Sequence, residues 1–579
     1  MSRSGARAKV AVFLACTAVL LAGGGLFVWR SLASAAEASI GENSGGYEAP
    51  GNIPSSLPPA SLAGVRVAMI AEPQNGTFGE AGFYGREVGR WRDWLAQLGA
   101  QSVSPANADV LVLPQALCMG PELRALVAKH LAAGKGIVAN GPMGSRNGLC
   151  HPLPDTLLVS LVGGRGSVSR FEPYHDNSYY AVVLGETALG AGVPPGARIE
   201  LMPANQLVFR GADRSVYYAN YRRTPVGMGK QPYFDGAIAR ARVGPGRVAA
   251  FGFELAHVVP GWSEWVTRNV VANAVTWAAG RPVVQIAPWP EGKHAAAVVA
   301  QDVEADFRNA GGAVDLLERE KVPATFFVVG RLAEQSPWTM RRLVSYGEVG
   351  SHTYDHRSVE RLSEAQSEAT LRQAQSATAE LSGRPVTGFR PPEEKYSLAT
   401  LQAWARLGGR YVFTSNNSRA AGPEIVPLGR DTLVLLSRVV DDDFEVLDRS
   451  SVRDRGVMAR HMVRQLDEVI ALRGVYMFSY HSHMFARDDL LPVLGALVGT
   501  LKSTPGVWIA QAGDVAEWWR QRGQVHVTTS ADGRTVDVWN ESASPFRRGV
   551  LLVDLPSGEQ KRLAVPQIAR GAHLHVPVQ

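Results

Sequence analysis

From Val65 onward the chain switches repeatedly between short apolar runs and longer amphipathic stretches. No other feature constrains its fold as much. VRVAMIAE, ADVLVLP and GIVANGP are strand-like, and YGREVGRWRDWLAQL and PELRALVAKHLAAGK between them are helical. Strand–helix alternation argues for a parallel sheet with covering helices. This first unit spans 64–283 and closes with the helical stretch SEWVTRNVVANAVTWAAG. A second α/β unit, 286–524, opens with HAAAVVAQDVEADF, an apolar strand that ends in acids. Residues 525–579 differ in kind. VHVTTS, TVDVWN, GVLLVDL and AHLHVPV are short alternating segments between Gly, Ser, Asn and Pro turns, as in a small β-sandwich-like domain. There His573 and His575 are expected to line one face of a strand.

Three domains agree with a length of 579 residues at roughly 150–200 residues per domain. Hydrophobic residues make up 46% and charged ones 19%, which is a globular composition with sizeable cores. The net charge of +6 is small, and no basic run is interleaved with aromatics, so no nucleic-acid partner is expected.

The N-terminus is more specific. Arg3, Arg7 and Lys9 precede an apolar run over 10–29, close to the ~20 residues that cross a bilayer as a helix. Basic residues ahead of the run place the rest of the chain on the exported side of an inner membrane. Residues 1–30 therefore read as a membrane anchor. Cleavage after Ala33-Ser34-Ala35 would instead make them a signal peptide. Residues 31–63, rich in Ser, Gly, Ala and Pro, read as a flexible spacer. Of three cysteines, Cys118 and Cys150 lie beyond the apolar run. Export permits a disulfide between them, and two free buried thiols are the alternative.

The second unit carries the chemistry. In GEVGSHTYDHRS, His352 and His356 stand four apart, so on one turn of helix both imidazoles would reach a single ion. Asp302 and Glu304 are two apart on a strand and therefore share a face. GFRPPEEKYS supplies Arg390, and GVYMFSYHSHMF ends a strand with His481 and His483. Two imidazoles and one carboxylate can hold a divalent ion with an open position for water.

VPATFFVVG, GEVGSHTYDH, the RPP segment and the His481 segment, in this order, resemble the polysaccharide deacetylases of the NodB-homology type, carbohydrate esterase family 4. The resemblance covers about 240 of the 579 residues. It implies a distorted (β/α) barrel of about seven strands, with a divalent metal ion, zinc being expected, at the strand C-terminal ends. It also implies de-N-acetylation of an N-acetylated polysaccharide. Carried over residue by residue, Asp302 would be the general base and Glu304, His352 and His356 the metal ligands. Arg390 would hold the base ionised, and His481 would be the general acid, with His483 as its substitute. The two acids point the same way, so their roles could be exchanged.

Two departures from the family pattern stand out. The commonest first motif has adjacent aspartates, whereas Val303 separates the acids here. Where an aspartate usually tunes the catalytic histidine, this chain has Asn416 and Asn417. Asp441-Asp442-Asp443 could supply that carboxylate or could form a solvated acidic turn. Glu393 replaces the tyrosine whose backbone amide serves the oxyanion hole. These changes leave a rival reading, a catalytically inactive glycan-binding protein.

The first unit resembles the glutamine-amidotransferase-like fold. Its strand-to-helix turn reads Gly141-Pro142-Met143-Gly144, with no nucleophile, so a non-catalytic domain is implied. The overall layout resembles parts of exopolysaccharide-modifying deacetylases, which favours exopolysaccharide over peptidoglycan.

Overall fold

The structure is a computed structural model that describes residues 60–578 apart from 79–81, 164, 171–178, 203, 211–214, 221–235, 416–418 and 531. The apolar run over 1–30, nearly all of the spacer, and Asn416 and Asn417 lie outside the described residues. Among those described, no helix is long and apolar enough to cross a membrane. Leu62, read from sequence as spacer, is fully buried and donates its amide to Leu98 O at 2.7 Å.

In the first unit the expected parallel sheet makes up one half of a larger one. Gln101–Ser102, Arg66–Met69, Val110–Leu113, Gly136–Asn140 and Gly246–Phe251 run parallel in that spatial order. The sheet then continues antiparallel through Gly236–Val243, Val216–Asn220, Tyr179–Val183 and Ala197–Leu201. The purely parallel expectation fails because strands follow one another between 165 and 243 with no helix between them among the described residues, and such strands pair antiparallel. Helix Trp262–Ala278 packs on the sheet through Val266, Val270 and Ala274, all fully buried.

Cys118 and Cys150 form a disulfide, with Cα atoms 4.9 Å apart, that closes a loop of sequence separation 32 over the strand ends. The crosslink restricts the unfolded chain. A Cys118→Ser/Cys150→Ser protein should unfold with about 3 kcal/mol less stability, measured by denaturant titration without reductant.

The second unit is a curled, open half-barrel. Val475–His481, Ala295–Val303, Ala324–Val328, Glu348–Ser351, Gly388–Phe389, Tyr411–Ser415 and Asp431–Arg438 lie side by side and parallel. Strand Ala295–Val303 is buried along its whole length, as expected of a strand covered on both faces. Alternate residues of this strand face opposite layers. Ala297, Val299 and Val303 pack against the outer helices Ala310–Glu320 and Arg455–Ala471, whereas Ala296, Val298 and Ala300 share the inner layer with Phe327, Phe413 and Met477. Asp302 continues the inner series, and His481 does so from Val475 and Met477. Helix Ala512–Arg522 closes the opposite end, where Gly513 N donates to the half-buried Glu348 at 2.8 Å.

The C-terminal segment forms two three-stranded sheets. One is built entirely from it: Val525–Thr529, Thr535–Asn540 and His573–Pro577. The other joins Val550–Asp554 and Gln560–Ala564 to Val283–Ile286. A domain confined to 525–579 is therefore corrected, because it borrows its third strand from the connection between the two larger units. His573 and His575 both contact Asp537 on the adjacent strand, at 2.9 and 3.1 Å.

Candidate metal and acid–base site

All site residues stand at the C-terminal ends of the half-barrel strands, where the backbone turns from strand to loop. Asp302 ends Ala295–Val303 and is in register with His481 on the neighbouring strand. His352 follows Glu348–Ser351, and Arg390 follows Gly388–Phe389. The parallel register thus gathers side chains that are up to about 180 positions apart in sequence.

The expectation that His352 and His356 share a helical turn does not hold. Residues 352–358 are not helical, and Thr353 and His356 both adopt φ of 62°. This tight left-handed loop folds back on itself and brings the imidazoles edge to face, with centroids 4.9 Å apart. The pair reaches one point by a different backbone route.

At that point stands Glu304. Its Oε2 is 2.6 Å from His356 Nε2 and 3.5 Å from His352 Nε2. One ligand atom from each of the three residues lies within 4.8 Å of the others. His352 Nδ1 lies 2.7 Å from the carbonyl of Arg390, so Nδ1–H donates outward and leaves the Nε2 lone pair facing Glu304. Burial works against ionisation of Glu304, but the facing imidazoles of His352 and His356 outweigh it and hold the carboxyl well below the usual range. The donor set, two imidazoles and a carboxylate with one tautomer fixed from behind, fits a divalent ion.

Asp302 has different partners. Its Oδ2 accepts from Arg390 Nε at 2.5 Å and lies 3.6 Å from His481 Nε2. Its Oδ1 is buried without a hydrogen-bond partner among the described residues. Arg390, 1% exposed, also stacks on Phe413 and donates to Glu394 at 2.8 Å. Ser482 ties the two acids' loop together: its hydroxyl accepts from Glu304 N at 3.0 Å and donates to Ala305 O at 2.6 Å.

His481 is seated on Asp443. The carboxylate accepts from the backbone amides of His481 and Phe485 at 2.8 and 3.0 Å and contacts His481 Nδ1 at 2.6 Å. No backbone ladder joins Asp431–Arg438 to Val475–His481 among the described residues, so Asp443 bridges the open seam of the half-barrel. The solvated-turn reading of Asp441-Asp442-Asp443 fails. All three are buried, with His461, Arg438 and His481 as their respective partners at 2.7, 3.2 and 2.6 Å. Burial lowers the His481 pKa, but the adjacent Asp443 charge and hydrogen bond outweigh that and push it up to about 10. A raised folded-state value means this attraction stabilises the fold fully below the ordinary imidazole pKa near 6.5, and the benefit fades as pH rises through about 10.

His483 Nδ1 lies 3.5 Å from Glu304 Oε1, outside the three-residue ligand set, and makes no hydrogen bond among the described residues. Glu393 is exposed and pairs with Lys395 at 2.7 Å. Sequence reasoning passed over Glu394, Arg438 and Ser482, which have no motif of their own. Glu394 and Ser482 stand within quoted segments, and Arg438 stands three residues before Asp441.

A half-barrel with a His–His–Glu cluster beside an Asp–Arg and an Asp–His pair carries the kinds of group that metal-assisted hydrolysis of a carbonyl uses. Residues 302–412 match the family model of the polysaccharide deacetylases, so this segment is a polysaccharide deacetylase domain, of a family of hydrolases. A Listeria monocytogenes peptidoglycan-N-acetylglucosamine deacetylase is 35% identical over 82 residues, 14% of this chain and 18% of that protein. An uncharacterized 30.6 kDa protein of Geobacillus stearothermophilus is 32% identical over 104 residues, 18% of this chain and 39% of that protein. The matches thus span less than two fifths of either relative's length. A candidate polysaccharide deacetylase structure from Mycobacterium smegmatis aligns at TM-score 0.37 and 22% identity, over 41% of this chain and 93% of that one.

Proposed function

We propose that this protein is a metal-dependent de-N-acetylase of an exported N-acetylated polysaccharide, releasing acetate and leaving a free amine. The observation that carries this reading is the division of labour between two acids on one strand end. Glu304 faces two imidazoles, whereas Asp302 faces Arg390 and His481. A divalent ion held by Glu304, His352 and His356, zinc being expected, would supply Lewis-acid polarisation of the acetamide carbonyl and acidify an attacking water. Asp302 offers its Oδ1, which has no partner among the described residues, as the proton acceptor, and Arg390 orients that carboxylate through Oδ2. His481 holds a proton at Nε2 for the departing amine, and Asp443 stabilises the imidazolium from behind. With Asp443 under His481, the missing fourth-motif acid no longer argues for an inactive glycan-binding protein.

Exopolysaccharide is the preferred substrate and peptidoglycan the competitor. Acetate release from a panel of N-acetylated exopolysaccharides, chitooligosaccharides and peptidoglycan tests the reading, and no release from any member would overturn it. Export with a membrane anchor belongs to the same proposal, supported by the basic-then-apolar N-terminus and by the Cys118–Cys150 disulfide. The first unit then acts as an amidotransferase-like scaffold. Met143 in its turn is fully buried and offers no nucleophile, so the double serine variant should keep full acetate release while folded.

The His481–Asp443 pair gives a pH prediction. In Asp443→Asn the imidazole loses the charge that raised it, so its proton leaves at lower pH. The alkaline limb of kcat/KM should move down in pH, with kcat at neutral pH reduced about tenfold or more. An unmoved alkaline limb would remove His481 from the role of acid.

A further inference from the structure

We infer that Glu394 and Arg438 are positioning residues that hold the two halves of the acid–base pair in a single frame, an inference that rests on the deacetylase reading above. Asp302 and His481 sit on adjacent strands, but their partners arrive on loops after two other strands: Arg390 after Gly388–Phe389 and Asp443 after Asp431–Arg438. Those two strands are in register only through Tyr411–Ser415 between them, and that ladder ends before the loops that carry Arg390 and Asp443. Glu394 joins the loops directly. Its Oε1 accepts from Arg390 at 2.8 Å and from Arg438 Nε at 3.2 Å, and its Oε2 accepts from Arg438 at 2.9 Å.

Arg438 in turn grips the segment that carries Asp443. It donates to Val440 O, contacts Asp442 at 3.2 Å and donates to Glu445 at 2.7 Å. The result is a continuous series of alternating charges, Asp302–Arg390–Glu394–Arg438–Asp442, that ends one residue from Asp443. Arg390 and Arg438 are 1% and 2% exposed, so these contacts are little screened by water.

The backbone gives a second, independent observation. Glu393 and Glu394 have φ of 54° and 60°, consecutive left-handed residues that are not glycine. Such a conformation persists only where the surroundings over-determine it. Here the two guanidinium groups hold the Glu394 side chain in place. The frame sets the approach of Asp302 Oδ2 to His481 Nε2, 3.6 Å, and so the spacing of base and acid across a substrate.

Glu394→Gln keeps the size and removes the charge that both arginines share. Its kcat should fall about ten- to a hundredfold, while KM and metal content stay unchanged. In an Asp302→Asn background the same change should cost clearly less than in the parent, because the base half of the pair has already lost its function and only the acid half remains to be misplaced. The Nδ1 proton resonance of His481 should also shift in Glu394→Gln, although Glu394 does not bond to that ring. Arg438→Lys, which keeps charge but loses the fork, should behave in the same way and stands in if Glu394→Gln does not fold. A full multiplicative loss in both backgrounds, or an unchanged kcat with an unshifted His481 proton, would overturn the inference. A parent protein that releases no acetate would instead overturn the deacetylase reading, and the His481 resonance would still decide whether Glu394 acts on the acid.

Discussion

An Asp302→Asn protein is expected to bind metal like the parent and to release acetate about two to four orders of magnitude more slowly, the usual worth of a general base. Asparagine retains an oxygen that accepts from Arg390 but cannot take a proton at neutral pH. Arg390 keeps a carboxylate partner in Glu394, so the buried guanidinium is not left unpaired. Metal content by elemental analysis and acetate release on the same preparation check both halves. Glu304→Gln should show the reverse order, with weakened metal affinity ahead of any direct effect on proton transfer. If Asp302→Asn instead loses metal while Glu304→Gln retains it, the two acids have exchanged roles.

The second large effect is at the histidines. His352→Ala with His356→Ala leaves one carboxylate of the three-residue cluster, too few donors to retain an ion through dialysis. Metal content should fall to background and acetate release should vanish, while the fold survives. The survival follows from position, because residues 352–358 form a loop beyond the strand Glu348–Ser351 and the layers beneath are closed by apolar side chains. His352 also donates to Arg390 O at 2.7 Å, so its loss should loosen the Arg390 loop as well. His356→Ala alone should therefore be the milder of the two single variants. Full metal occupancy in the double variant would sink the ligand assignment.

Much of this site is legible in the residues themselves. Strand alternation puts Asp302 in one layer with Ala296, Val298 and Ala300, and it puts His481 there with Val475 and Met477. The strong apolar runs locate the strands, and polar groups at their ends locate the mouth of the half-barrel. Other features were not legible because they depend on loop conformation. The His352–His356 spacing is that of a helical turn, yet two left-handed residues make the same approach from a loop. The first sheet turns antiparallel after its parallel half, and the terminal β domain takes Val283–Ile286 from far upstream. Strand partners so distant in sequence leave no periodic trace near either strand.

The sequence by itself determined where the apolar strands of 286–524 lie, and the resemblance of its motifs singled out Asp302, Glu304, His352, His356, Arg390 and His481. Burial of apolar runs and the two-residue period of a strand control the first of these. Only the tertiary structure decided that Glu304 faces the imidazoles while Asp302 faces Arg390. It alone chose Asp443 from three consecutive aspartates as the partner of His481, and it joined Arg390 to Arg438 through Glu394. Those choices depend on the direction in which loop side chains point. That direction is set by contacts between strand ends far apart in the chain, where burial leaves each charge no alternative to its opposite.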